Sequence, residues 1–289
     1  PDSRRLSHIT EKIAAMTLRT VTFSPTGTTA KIVSAIASGI MDTIKCESII
    51  CDTTCRPAET FVADPDDITV IAAPVYGGKM APIAKTRLTA IKGPDSPCVL
   101  VAVYGNRAFE NALNDMADFA TSLGFMPVAA GAFIGEHSYS SSATPIAVGR
   151  PDADDIESAR EFGRNIGRHL LAGTLERIDT TRLHDRPSPE ESLLNFRNFV
   201  TGYQKQQAVT PRKFLPEVNT ALCSQCGQCI DICPVGAIGD DCLSVDGSKC
   251  IKCCACVKRC PANARSLHSP FAPILSQNFD TPKAPVLSL

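Results

Sequence analysis

The 289-residue sequence predicts an α/β fold, a doubly wound five-stranded parallel sheet of order 2-1-3-4-5, followed by a small α+β unit rich in cysteine. Three observations carry that expectation. Short β-rich apolar runs alternate with helix-length segments up to about residue 173, the alternation then stops, and two cysteine runs of one spacing follow. Parallel strands need crossover connections, and crossover helices cover both faces of the sheet.

Strands are predicted at residues 18–23, 46–51, 68–73, 99–103 and 128–133, short runs that are mostly apolar. Helices are predicted at 29–41, 82–91, 109–123 and 154–171. Together they define an N-terminal domain over residues 1–173. Residues 174–215 are charged and punctuated by Pro187, Pro189 and Pro211, and read as a linker with one helix near 192–206. A linker of this length lets the next unit fold back on its own chain or reach a second one, so a homodimer is one expectation. Residues 216–268 hold the cysteine runs. Residues 269–289, with Pro270, Pro273, Pro282 and Pro285, read as an extended tail.

A formal net charge of −1 argues against a nucleic-acid partner. No apolar run reaches the length of a membrane span, and the first residues lack the apolar stretch of a secretory signal. Fourteen cysteines in such a chain suit a reducing, cytoplasmic setting.

The cysteine runs are Cys223-x-x-Cys226-x-x-Cys229-x-x-x-Cys233-Pro234 and, 27 residues later, Cys250-x-x-Cys253-x-x-Cys256-x-x-x-Cys260-Pro261. Three cysteines on one tight loop supply three of the four thiolates that an iron cubane needs, so a fourth must come from elsewhere. The spacing is that of the bacterial two-cluster ferredoxins, which this stretch resembles along its whole length. The resemblance implies two [4Fe-4S] clusters, one on Cys223, Cys226, Cys229 and Cys260, the other on Cys250, Cys253, Cys256 and Cys233. A pair of zinc sites or a disulfide scaffold is the alternative, although zinc knuckles more often pair two short Cys-x2-4-Cys units. One departure stands out: Ala237-Ile238 follows the first run but Ala264-Arg265 the second, so Arg265 is expected to expose or electrostatically tune the Cys260-linked cluster. Cys254 reads as a small non-ligating residue and Cys242 as buried filling. Cys46, Cys51 and Cys55 read as plain thiols.

After the first strand come Ser24, Pro25, Thr26, Gly27, Thr28 and Thr29, leading into a helix. Backbone N–H groups, the helix dipole and hydroxyls make such a turn a phosphate cradle, though an ordinary helix cap looks similar. In a 2-1-3-4-5 sheet a ligand sits at the carboxyl ends of the first and third strands. There the chain places Pro74, Val75, Tyr76, Gly77, Gly78 and Lys79, and after the fourth strand Tyr104, Gly105, Asn106 and Arg107, with Phe109 close behind. Tyr76 offers a flat face to an aromatic ligand; the alternative is that either tyrosine merely packs against a loop. Neither a G-x-G-x-x-G fingerprint nor a G-x-x-x-x-G-K-[ST] loop is present.

These loops resemble those of flavodoxin-like FMN domains, as does the segment 131–138. The order of the two units resembles the flavodoxin–ferredoxin fusion proteins of anaerobes, the EFR type. That resemblance implies FMN beside the clusters, and a flavin ring resting on Tyr76, Tyr104 or a cluster-unit residue, because the chain has no tryptophan. His137 is the candidate for proton handling, or simply a loop-bonded histidine. Lys79 and Arg107 are candidates to balance a negatively charged reduced flavin, or solvated surface cations. The implied function is an electron-transfer iron–sulfur flavoprotein that couples one- and two-electron carriers in anaerobic metabolism and exchanges electrons with donor and acceptor proteins. The alternatives are an FMN-dependent reductase of a small organic acceptor, which an open pocket above the flavin would favour, and a redox-sensing module.

Overall fold

The computed structural model describes residues 16–289. The part of the predicted first domain that precedes Met16 lies outside the described residues. The main sheet contains β1 (Thr17–Thr22), β2 (Glu47–Asp52), β3 (Ile68–Tyr76), β4 (Pro97–Tyr104) and β5 (Met126–Ile134). They pair in parallel in the order β2-β1-β3-β4-β5, which is the flavodoxin-like doubly wound arrangement.

Burial explains which runs became central strands. Every residue of β4 is buried, as are the first six of β3, whereas β2 lies at the sheet edge with Ile50 78% exposed. On one face pack α1 (Thr28–Thr43) and α4 (Ala153–Ala172), with Ile32, Ile36, Phe162 and Ile166 over Val70 and Val101. The other face receives α2 (Pro82–Arg87) and α3 (Ala112–Ser122), with Leu88, Leu113 and Met116 over Ile71 and Leu100. The predicted helix over 82–91 stops at Arg87, because the chain turns back to place Ile91 and Lys92 in a short parallel pairing with Phe61 and Val62.

The helix pair on the first face aims the start of α1 at the sheet's carboxyl end. Its closeness depends on two glycines: a Cβ on Gly39 would lie 1.9 Å from the Arg160 carbonyl oxygen, and one on Gly163 2.1 Å from that of Ile36. The start of α4 is fixed by a reciprocal capping box between Asp152 and Asp155, and its end by Gly173 in the left-handed region.

Between the two units, α5 (Glu190–Val209) extends the predicted linker helix by about a turn in all, and none of its residues is buried. The tail is more structured than its prolines suggested. It forms α8 (Ala272–Asn278), after two short helices described below, and then β6 (Val286–Ser288), antiparallel against β5. Asn106, fully buried, holds this tail: its Nδ2 donates to the Phe279 and Thr281 carbonyls at 2.8 and 3.0 Å, and its Oδ1 accepts from Lys283 N at 3.1 Å.

Gly163→Ala is expected to cost about 1–3 kcal/mol of stability by forcing α1 and α4 apart. Urea unfolding measures it; an unchanged midpoint would mean that the helix pair separates freely.

Candidate functional site

A cavity of about 340 Å³ opens at the carboxyl ends of β1, β3, β4 and β5. From the β1–α1 turn it receives Pro25, Thr26, Thr28 and Thr29. Ser24 supports that turn from beneath: its Oγ accepts from Ala30 N at 3.0 Å and its N–H donates to Thr54 Oγ1 at 2.9 Å. Gly27 has φ +88° with open space where a Cβ would stand, and it starts the helix in a conformation that favours glycine. Thr28 and Thr29 occupy the first turn of a 16-residue helix, so their N–H groups lack intrahelical acceptors. An anion would satisfy them.

The loop after β3 brings Pro74, Val75, Tyr76 and Gly77 to the cavity, and the end of β4 brings Val103, Tyr104 and Gly105. Gly77 has φ +59°, again with open space at the Cβ position. These features fit a flat, phosphorylated cofactor: a cradle of N–H and hydroxyl groups at one end and glycine-lined approach beside an aromatic face at the other.

Several predicted residues stand elsewhere. A Cβ on Gly78 would meet the Glu110 carboxylate at 2.0 Å, and Lys79 is an exposed residue of a two-residue strand paired to Tyr76. Asn106 ties down the tail. Arg107 pairs with Glu110, and its guanidinium lies 4.6 Å from the Phe196 ring centroid. Phe109 is wholly buried in the core, and the ring of Tyr104, itself buried though it lines the cavity, packs edge-on against it at 5.7 Å.

Sequence reasoning missed Tyr139. It lines the cavity, with its ring 4.9 Å from that of His137 and 5.9 Å from that of Phe214. An aromatic residue five positions beyond β5 was the available signal. His137 is half-buried in the cavity wall, and its Nδ1 accepts from Tyr139 N at 3.0 Å, which leaves the proton of the neutral ring on Nε2. Burial, with the charges of Arg107 and Lys258, holds its pKa at about 4. At neutral pH the imidazole is therefore a hydrogen-bond donor and not a stored proton, which narrows the proton-handling role expected of it.

The remaining wall comes from the cysteine-rich segment: Ile251, Lys252 and Cys253 line the same cavity. Its two halves repeat in backbone detail. Positive φ occurs at Gln225 and Lys252, at Gly227 and Cys254, and at Gly236 and Asn263, each pair 27 residues apart. Short helices α6 (Gln228–Asp231) and α7 (Ala255–Lys258) follow the second pair. Cys254 thus occupies the left-handed position that glycine takes in the first half.

Val218 pairs with Arg265 and Val245 with Ile238, so each half's start is stitched to the other half's end. After each Cys-Pro turn an amide faces sulfur: Ala237 N donates to Cys233 Sγ at 3.2 Å, and Ala264 N to Cys260 Sγ at 3.3 Å. Among the described residues no three Cys, His, Asp or Glu side chains converge as closely as one metal ion requires. A four-iron cubane instead spreads its thiolates over the corners of a cube, and the donor set of thiols met by amide N–H groups suits it.

Two contacts dock this segment. Arg87 donates to the carbonyls of Thr53 and Thr54, at 2.7 and 2.6 Å, and to that of Pro234. Lys258 Nζ reaches Glu136 Oε1 at 2.6 Å and the Ser140 carbonyl at 2.8 Å. Cys55, read as a plain thiol, lies against the same segment, with its Sγ 3.7 Å from the Asp231 carbonyl. Burial and the neighbouring thiols of Cys253 and Cys254 push the Tyr76 phenol well up, so the cavity's aromatic wall and the cysteine loop share one environment.

The comparisons bear on the two halves differently. Residues 216–239 and 243–266 match the family model of the 4Fe-4S binding domain. This stretch is a 4Fe-4S binding domain. No curated protein matches the chain. A flavodoxin from the domain Archaea is 13% identical, covering 54% of this chain and 99% of its own, with a TM-score of 0.36. A flavodoxin of Streptococcus pneumoniae is 16% identical over 56% and 100%, at 0.36. An NADH:FMN oxidoreductase is 14% identical over 58% and 94%, at 0.37. The fold assignment rests on the strand order, not on these likenesses.

The depressed His137 fixes a pH dependence. As pH falls the unfolded chain binds the histidine proton first, so the stability this group contributes is complete above about 6.5 and is lost as pH falls towards about 4. Glu136 acts with the same sign at lower pH: burial pushes its carboxyl up, but hydrogen bonds from Lys258 and the Gly149 N–H hold it below 4.5. Unfolding of the cofactor-free chain at about pH 7 and pH 5 is expected to show the loss, and His137→Gln to remove most of it. Equal slopes in both proteins would contradict the neutral imidazole.

Proposed function

We propose that the chain is an electron-transfer iron–sulfur flavoprotein of the flavodoxin–ferredoxin fusion type, holding FMN in the sheet-end cavity and two [4Fe-4S] clusters in the C-terminal segment. The domain limits that go with this reading are 1–173, 174–215, 216–268 and 269–289. The observation that carries it is the shared wall: Cys253, a cluster ligand in this reading, lines the cavity that the flavodoxin-like loops build. Bound FMN supplies a carrier that accepts two electrons and releases them singly.

The residues divide the work. Thr26, Thr28 and Thr29 hold the phosphate through hydroxyls and helix-end N–H groups, with Ser24 and Gly27 shaping their turn. Tyr76, Gly77 and Tyr139 take the ring, and His137 offers it the Nε2–H donor. Cys223, Cys226, Cys229 and Cys260 hold one cluster; Cys250, Cys253, Cys256 and Cys233 hold the other. The cross-stitched pairings of Val218 with Arg265 and Val245 with Ile238 support a fourth ligand given by each half to the other. Because Ile251, Lys252 and Cys253 put the cysteine loop in the cavity wall, the relay is preferred here to the reductase of an organic acceptor. The partners in this reading are redox proteins that dock at the cluster end.

Tyr76→Ala is expected to weaken FMN binding about tenfold or more while leaving iron content unchanged, as titration of flavin fluorescence and iron analysis would show. Unchanged affinity would remove Tyr76 from the site. Arg87→Met leaves three carbonyls without their donor, at about 1–3 kcal/mol for each that stays buried. It is expected to slow flavin–cluster electron exchange in anaerobic stopped-flow measurements, with both cofactors retained. An undiminished rate would show that the docking does not depend on Arg87.

A further inference from the structure

The two halves of the cysteine segment share a backbone but not their surroundings. Cys253 and Cys256 are buried and Cys253 lines the cavity, whereas Cys226, which corresponds to Cys253, is exposed in a loop where Leu222 is also 53% exposed. The pairing partners differ as well. Ile238 stands opposite Val245, and Arg265, its counterpart, opposite Val218.

Arg265 is not a surface cation. It is only 6% exposed, one guanidinium nitrogen donates to the Cys242 carbonyl, and Nη1 is buried without a hydrogen-bond partner. The expectation that it would expose a cluster is therefore corrected to burial beside one. Its place in the chain ties it to one ligand: Ala264, the residue before it, donates its N–H to Cys260 Sγ at 3.3 Å. An unpartnered buried cation of this kind has one obvious complement, the negative charge of a thiolate-bound cluster.

We propose that Arg265 raises the reduction potential of the cluster held by Cys223, Cys226, Cys229 and Cys260 above that of its twin next to the flavin cavity. This rests on the two-cluster reading above. Reduction adds one negative charge to a cluster, so a fixed buried cation next to the turn that carries Cys260 stabilises the reduced form there most. Solvent exposure of the Cys226 loop acts in the same direction, because the added charge is better solvated there. The step this favours moves one electron from the Cys253 cluster, which is oxidised, to the Cys229 cluster, which is reduced, with no bond or proton changing place. The outer cluster thus becomes the electron's resting place, on the face through which a partner protein can exchange it.

The test is an anaerobic potentiometric titration of the full-length, cluster-replete protein, read by electron paramagnetic resonance, with Cys226→Ala used to assign the outer cluster's wave. The outer wave is expected at the higher potential. Arg265→Ile, which copies the first half, is expected to lower it by at least about 59 mV, a tenfold change for one electron, with the inner wave shifting less. Arg265→Lys, which keeps the charge, is expected to retain most of the wild-type position. An unmoved outer wave, a larger shift of the inner one, or a wild-type outer wave at the lower potential would overturn the proposal. If Arg265→Ile loses iron, Arg265→Gln takes its place: an outer wave lower than that of Arg265→Lys is expected, and equal waves in the two would overturn the proposal. Fewer than about eight irons in the wild-type protein would instead overturn the two-cluster reading.

Discussion

Arg87 donates to the carbonyls of Thr53, Thr54 and Pro234, and through those bonds the loop after β2 grips the turn that follows Cys233. Thr54 in turn accepts from the Ser24 N–H, so the phosphate-type turn and the Cys-Pro turn are linked through two residues, Thr54 and Arg87. On the opposite side Lys258 closes onto Glu136 and Ser140. Between these two anchors Ile251, Lys252 and Cys253 meet the cavity. Without this docking the sheet end would be an open crevice and the cysteine segment a separate module. The buried Arg87 carries more of it than the partly exposed Lys258 pair, since solvent screens an exposed ion pair to about 1 kcal/mol or less.

The internal repeat of the cysteine segment has the opposite character, equal geometry with unequal environments. Matching left-handed positions and matching amide-to-sulfur contacts recur 27 residues apart. What differs is what each half touches: buried Cys253 faces Tyr76 and the cavity, and exposed Cys226 faces solvent. A duplicated binding loop becomes directional once one copy is covered and the other is not. Arg265 in place of a second isoleucine extends that asymmetry to charge.

Much of this was legible in the sequence, for physical reasons that differ by region. The central parallel strands read clearly because a strand buried on both faces is apolar throughout, as β4 is. The cysteine spacing read clearly because ligand geometry permits few alternatives. Loop residues read less well. Position after a strand placed Asn106, Arg107 and Phe109 at the right end of the sheet, but whether a side chain turns into a crevice, a tail or the core depends on partners distant in sequence. Asn106 is spent on residues about 175 positions away, as its bonds to Phe279 and Thr281 show. The same non-locality hid α8 and β6, whose strand exists only because the edge of β5 offers it unpaired groups. It also hid the Lys258–Glu136 contact, which no local pattern marks.

The central claim is that flavin and clusters communicate inside one docked chain. It is tested most directly by photoreducing the flavin in an anaerobic, cofactor-replete sample and following transfer to the clusters by transient absorbance at several protein concentrations. A first-order rate independent of concentration over a tenfold range is predicted. A rate that rises in proportion to concentration would contradict the claim, because it would mean that electrons cross between molecules and that the shared wall of the cavity carries none of them.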